Sequence, residues 1–262
     1  MKHEHNIHVR LIIGAGYEPI ELIKHKIAFL NTLPVSCIYT LLHYKTDQLV
    51  EPVVKLLHES GINNIMFWKA ARFTEPVKVR KMDKMVRHLP PEDWIINSDC
   101  DEFPDFGDDP ERFFQDVISS GSDYLQGALL DRVAESLHVT RDIADGVDLK
   151  VQFPVNVNMH GLKYPKYVER HCTKLPGVNE CLLPKVVMHR AKVRCGKGYH
   201  KVNNKRLKKY ETVIPVYHFK WFGNVVQKME QIEADVVTAH KTKMIQCVRD
   251  DNIKSILINY PN

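Results

Sequence analysis

The sequence has no Cys-x-x-Cys pair, no apolar run approaching the ~18 residues of a membrane-spanning helix, and no apolar core near its start. The first absence excludes a zinc ribbon. The other two give no sign of a spanning helix or of a signal peptide of ordinary form, so the expected compartment is the cytoplasm and any membrane contact is expected to be peripheral. Charge of one sign is also scarce: the net formal charge is +5 over 262 residues, too weak and too dispersed for a nucleic-acid protein. The densest basic cluster, Lys205-Arg206-Leu207-Lys208-Lys209, has no aromatic ladder beside it on which bases could stack. Internal repeats and low-complexity linkers are missing as well. The six cysteines are widely spaced, and an even count alone makes no disulfide framework in a chain of this length. Cys37 and Cys100 read as small buried hydrophobes.

What is present is a regular alternation of strand and helix patterns. Ile7–Ile13 is a β-branched run that breaks at Gly14-Ala15-Gly16. Helical spacing follows from Glu18-Pro19 to Asn31, then a strand over Val35–Leu42, then a helix from an N-cap at Thr46-Asp47 to Gly61. A third strand at Ile65–Trp68, a helix over Pro76–Leu89 and a fourth strand at Trp94–Ser98 complete the series. This order implies an α/β protein with a Rossmann-like, mostly parallel central sheet flanked by helices. Asp109-Pro110 opens a further helix, Tyr124–Leu130 reads as a strand ending at Asp131-Arg132, and Val213–Phe219 is the last strand. Between about 135 and 185 the periodicity decays, as in functional loops. No linker divides the chain, so residues 1–262 are expected to form one domain: a nucleotide-binding half (1–103), an acceptor and metal half (104–225) and a C-terminal helical tail (226–262).

The fourth strand runs into Asp99-Cys100-Asp101-Glu102-Phe103. Two carboxylates at i and i+2 past the carboxyl end of a parallel strand lie where open α/β sheets bind ligands. Three acids in four positions beside apolar neighbours are costly to bury without a cation, so the stretch is read as a metal site able to neutralise a diphosphate. Gly14-Ala15-Gly16 lacks the third glycine of a dinucleotide fingerprint; Gly14 marks either a structural turn or a place where a nucleotide approaches the backbone. Lys84, with Arg80, faces either a diphosphate or solvent.

These residues resemble the family-2-like glycosyltransferases with a GT-A (nucleotide-diphospho-sugar transferase) fold. The resemblance rests on the DxDEF-type run Asp99–Phe103, followed in order by Leu130-Asp131-Arg132-Val133-Ala134, Gln152-Phe153-Pro154 and Tyr217-His218-Phe219-Lys220-Trp221. Lys185-Val186-Val187 and Gly198-Tyr199-His200 are similar to that group too. The resemblance implies a nucleotide-diphosphate sugar donor, a carbohydrate or glycan acceptor and a divalent cation, Mn²⁺ or Mg²⁺. It assigns the metal to Asp101, with Asp99 facing the ribose or the metal's water shell and His218, or in competition His200, completing the site. Inversion at the sugar would need a carboxylate base, for which Asp131 is the first candidate and Glu102 the second. The acidic-Gly-Ser-x-Asp element common in that family is replaced by His43-Tyr44-Lys45-Thr46-Asp47, which leaves Asp47 alone for nucleotide contact. No Gln-x-x-Arg-Trp element of processive synthases is present. A sugar-phosphate nucleotidyltransferase and a non-catalytic carbohydrate-binding relative are the alternatives.

Overall fold

The computed structural model describes residues 6–71, 73–134, 142–158, 165–220 and 258. The chain divides into two compact units, one built from Met1–Gly127 and Lys185–Ile214, the other from Ala128–Pro184 and Pro215–Asn262.

The first unit opens with β1 (Ile7–Gly14), buried along its whole length. A strand covered on both faces must be apolar throughout, which is why β1 lacks polar–apolar alternation. It pairs in parallel with β2 (Cys37–Tyr44) on one side and β4 (Trp94–Asp99) on the other; β3 (Asn64–Lys69) pairs in parallel with β2. Helices α1 (Ile20–Asn31), α2 (Val50–Glu59) and α3 (Glu75–Val86) connect them. The α/β class expected from the sequence is therefore present: a central multistranded sheet flanked by helices. Apolar side chains of α3 (Met82, Met85, Val86) close over Ile12, Leu41, Trp68 and Ile95 of the sheet. That face makes one continuous core.

Several boundaries differ from the sequence reading for identifiable reasons. Thr46-Asp47 does not cap α2; a 3₁₀ turn at Asp47–Leu49 intervenes, and α2 begins at Val50 without a side-chain cap bond. Its other end does follow expectation, with Gly61 at φ 77° after the last turn. α4 (Pro110–Ser119) starts as expected, the Asp109 carboxylate accepting a bond from the Arg112 N–H at 3.0 Å. A short β5 (Glu102–Pro104) directly follows the acidic stretch.

The strand order is β3-β2-β1-β4-β8-β6-β9-β5, with β7 paired to β6. Parallel pairing joins β1 to β4, whereas β8 (Pro184–Arg190) joins β4 antiparallel. β6 (Tyr124–Val133) is longer than expected: β7 (Val155–Val157) pairs antiparallel with Asp131, Arg132 and Val133, so Asp131 sits inside a strand, not at its end. β9 spans Lys209–His218, and β6 and β9 each run from the first unit into the second. The second unit also holds α5 (Leu149–Gln152) and α6 (Pro165–Arg170). Within it a disulfide joins Cys172 to Cys181, where no pairing was expected, beside the Thr173↔Leu182 bridge. Cys100 is buried as expected, but Cys37 is only half-buried. No helix among the described residues is long and apolar enough to cross a membrane. Apart from Ile258, the C-terminal tail (226–262), like Trp221, lies outside the described residues.

Candidate functional site

Asp99 is the last residue of β4 and lies opposite Ile12 of β1. Its carboxylate is held by two buried lysines. Lys78 Nζ stands 2.8 Å from Oδ1, and Lys185 Nζ donates to Oδ2 at 3.1 Å and to the Glu102 carboxylate at 2.7 Å. The Lys185 contact follows from pairing: the antiparallel register that sets Ile96 opposite Met188 brings Lys185 opposite Asp99 three residues on. Burial opposes ionisation of Asp99, but Lys185 and then Lys78 outweigh it and hold the carboxyl far below the usual carboxylate range. Burial likewise disfavours the Lys185 ammonium, and the Asp99 and Glu102 charges override it, raising its pKa. Lys78 is raised in the same way, with Asp99 outweighing burial. Asp99, Lys78 and Lys185 are therefore fixed in their charged forms. Lys26, on the inner face of α1, donates to the Glu102 carbonyl and lies over the Phe103 ring at 4.5 Å. Burial lowers its pKa to about 8.

A second carboxyl stands at the end of β1. Glu18 accepts the Gly14 N–H at 2.6 Å, an approach so close that a Cβ on Gly14 would meet the Glu18 oxygen at 2.8 Å. Gly14 is thus required for a side-chain contact within the chain. Burial, and next the negative charge of Asp101, push the Glu18 carboxyl up to about 8. Asp101 itself is half-buried. The carboxyl ends of β1 and β4 consequently gather Glu18, Asp99, Asp101 and Glu102, of which Asp99 and Glu102 are paired with lysine.

Tyr199 lines the same place. It is fully buried and adopts φ 55°, a left-handed conformation uncommon outside glycine. Arg10, Lys78 and Lys185 lie 4.6, 5.4 and 5.6 Å from its ring centroid, so one aromatic ring serves three cations. The neighbouring His200 is half-buried and folds its ring against Gly198. Of this pair, it is Tyr199 that borders the lysines.

At the ends of β1, β2 and β3 lies an aromatic group. Tyr17, 44% exposed, stacks on His43 at 5.7 Å with Lys45 Nζ 5.0 Å from its ring centroid, and His43 also contacts Trp68 and Phe73. Asp47 is exposed and paired with Lys69 at 2.5 Å. Lys84 is exposed, whereas Lys78 on the same helix is buried against Asp99; α3 therefore sends Lys78 to the strand end.

In the second unit Asp131 and His218 lie on the neighbouring strands β6 and β9. Oδ1 of Asp131 and Nδ1 of His218 are 2.7 Å apart, and both residues are buried. The Arg132 side chain goes elsewhere: its guanidinium donates to the Phe153 and Lys150 carbonyls and to Asn156. Adjacent residues of a strand point to opposite faces, so Asp131 meets His218 while Arg132 meets the Phe153 and Lys150 carbonyls and Asn156.

Reading the sequence missed Glu18, Lys26 and Lys78, and took Lys185 only from resemblance. A signal existed for the lysines. Lys26 shares the helical spacing of Leu22, Ile23, Ile27 and Leu30, and Lys78 that of Met82 and Met85, so each falls on an apolar face.

No family model and no curated protein matches the chain. Among solved structures it is similar to S. aureus TarS, at 11% identity and a TM-score of 0.37. That alignment covers 94% of this chain and 43% of TarS, so the chain spans less than half the length of that protein. A second TarS structure, of residues 1–349, gives 10% identity and a TM-score of 0.38 over 95% of this chain and 72% of that one. At these values the likeness adds nothing to the reading of the site.

Proposed function

We propose that the protein is a metal-dependent glycosyltransferase that moves a sugar from a nucleotide-diphosphate donor to the hydroxyl of a carbohydrate acceptor, in glycan or polysaccharide biosynthesis. The observation that supports this best is the carboxylate group at the carboxyl ends of β1 and β4, the rim where open α/β sheets take ligands. Lysines hold Asp99 as an anion and engage Glu102, and Glu18 is raised to about 8 by burial and next by Asp101. A divalent cation would offset the Asp101 charge that helps push Glu18 up, and carboxylate oxygens suit Mg²⁺ or Mn²⁺. The donor chemistry of the residues therefore fits the cation, and Asp101 is the residue to which we assign it. Once bound, the cation would offset charge growing on the departing diphosphate.

The chain's own residues have separable tasks in this reading. Lys78 and Lys185 keep Asp99 ionised and in place. Gly14 and Glu18 set the turn where the donor nucleotide would pass. The exposed Tyr17 face, with Lys45 nearby, offers a surface for its base. Asp47 is the further candidate for nucleotide contact, and using it would mean giving up Lys69. A base role for Glu102 would likewise require release of Lys185.

The test is donor hydrolysis without acceptor, run across a panel of nucleotide-diphosphate sugars with and without Mn²⁺. Slow metal-dependent release of nucleoside diphosphate from one donor is expected. A sugar phosphate and a nucleoside triphosphate turned over instead would place the protein among nucleotidyltransferases. Binding of carbohydrate with no turnover of any donor would leave a non-catalytic relative.

A further inference from the structure

Counted over the whole chain the charge excess is small, but it is unevenly spread along the sequence. Residues 190–209 hold nine of the 37 lysines and arginines and none of the 32 aspartates and glutamates. The other 28 basic residues are set against 32 acidic ones, so the rest of the chain carries −4. Charge that reads as dispersed is therefore gathered on one segment of the first unit.

The local fold turns the cations of that segment outward. Gly198 and Tyr199, at φ 64° and 55°, reverse the chain, and Cys195 bridges Val202 antiparallel. The Gly196 N–H donates to the Lys201 carbonyl at 2.8 Å, and the Asn203 N–H to the Arg194 carbonyl at 2.9 Å. Val193, Cys195 and Tyr199 are buried with Val186, and Val202 and Leu207 pack against them. Interspersed with these anchors, Arg194, Lys201, Lys205, Arg206 and Lys209 are exposed. Among the described residues none of these five has an ion-pair partner, whereas Arg190 and Lys192 share Asp123, each at 3.9 Å.

We propose that this face is an electrostatic docking surface for an anionic phospholipid membrane. Clusters of about four to eight surface cations are drawn to anionic headgroups within a Debye length. Six of the nine basic residues are lysines, point charges on flexible stems that suit a diffuse headgroup potential better than the planar fork of arginine. Among the described residues of the segment no large apolar side chain is exposed, so the attraction is to charge and not by insertion. A nucleic acid would need aromatic faces for its bases. Tyr199 is buried, and Tyr210, next to the segment, is half-buried with its ring 6.1 Å from that of Phe113. The proposal does not depend on the donor chemistry, and its test reads no turnover.

The test is co-sedimentation of the full chain with phosphatidylcholine vesicles and with equimolar phosphatidylcholine–phosphatidylserine vesicles. Binding is expected to the anionic vesicles only, and is expected to be lost as salt rises from about 0.1 to about 1 M. The triple variant Lys205→Gln, Arg206→Gln, Lys209→Gln should bind about 100-fold more weakly, since each surface cation contributes roughly fivefold. Lys55→Gln, Lys166→Gln, Lys174→Gln removes the same charge from exposed positions elsewhere and should change binding less than about twofold. Equal binding to both kinds of vesicle, or equal loss in both variants, would overturn the proposal. So would tighter binding of a single-stranded oligonucleotide than of the anionic vesicles at the same salt, which would assign the surface to a nucleic acid. A footprint on the wild type needs no variant to fold: anionic vesicles should slow chemical acetylation of Lys201, Lys205 and Lys209 and leave Lys55 and Lys174 unchanged. Acetylation unslowed at those three lysines would place the contact elsewhere and refute the assignment.

Discussion

Two carboxylates, half-buried Asp99 of the first unit and buried Asp131 of the second, have different kinds of partner. In the first, Asp99 is held by Lys78 and Lys185; in the second, Asp131 is held by His218. Lysine against a carboxylate drives the two pKa values apart, so both remain charged and neither can exchange a proton near neutral pH. Histidine against a carboxylate fixes a tautomer and leaves a ring that can still ligate or accept a proton. The first arrangement builds a permanent charge pattern. The second builds an adjustable group.

Breaking the lysine arrangement should have the largest effect. Lys185→Met leaves the Glu102 carboxylate and part of Asp99 without their buried counter-charge, and a loss of about 3 kcal/mol in denaturant unfolding is expected. Lys84→Met, on the exposed side of the same charge population, is the control and should stay within ~0.5 kcal/mol. Equal effects would remove the distinction between buried and exposed lysines.

A neutral buried histidine gives the first unit one pH-dependent contribution. His189 accepts a bond from Arg10 at 3.0 Å and donates from Nδ1 to the Arg190 carbonyl. Burial first, then the Arg10 charge, lower its pKa from the ordinary 6.5 to about 3. The unfolded chain takes up that proton as pH falls through about 6.5, while the native state resists until about 3. The His189 contribution to stability should therefore fall across that window, by about 3 kcal/mol at pH 4. His189→Gln should flatten this acid limb; an unchanged limb would assign it to other groups.

The second unit has a covalent tie where the first has ion pairs. Cys172 and Cys181 are nine residues apart, and closing so short a loop contributes about 2–3 kcal/mol in the chain-entropy account. Alkylation with and without reductant, read by mass spectrometry, should protect these two cysteines alone among the described ones, and reduction should lower the unfolding midpoint. The smallest effect is expected at Gly14→Ala, where the added methyl displaces Glu18 from the Gly14 N–H and costs about 1 kcal/mol.

The parallel half of the fold was legible because β1 to β4 and their helices follow the two hydrophobic periods closely. The extension of β6 was not, since it depends on pairing with β7, a three-residue strand too short to announce itself. Asp99, Asp101 and Glu102 were legible as a group from their place after a buried strand. Their lysine partners were not: Lys185 comes from a strand eighty-six residues away, brought opposite Asp99 only by sheet register. Lys26 and Lys78 could have been found, for a lysine on an apolar helix face needs a partner. Cys172–Cys181 had no signal beyond the residues themselves, because spacing alone does not select a pair.

The central claim is that the acids at the end of β4 hold a divalent cation with a nucleotide diphosphate. Calorimetric titration of Mn²⁺ and then a nucleoside diphosphate into the wild type and Asp101→Asn tests it most directly. Saturable Mn²⁺ binding that tightens the nucleotide in the wild type, and is lost in the variant, is the predicted result. Nucleotide binding that ignores Mn²⁺ and is the same in both proteins would contradict the account.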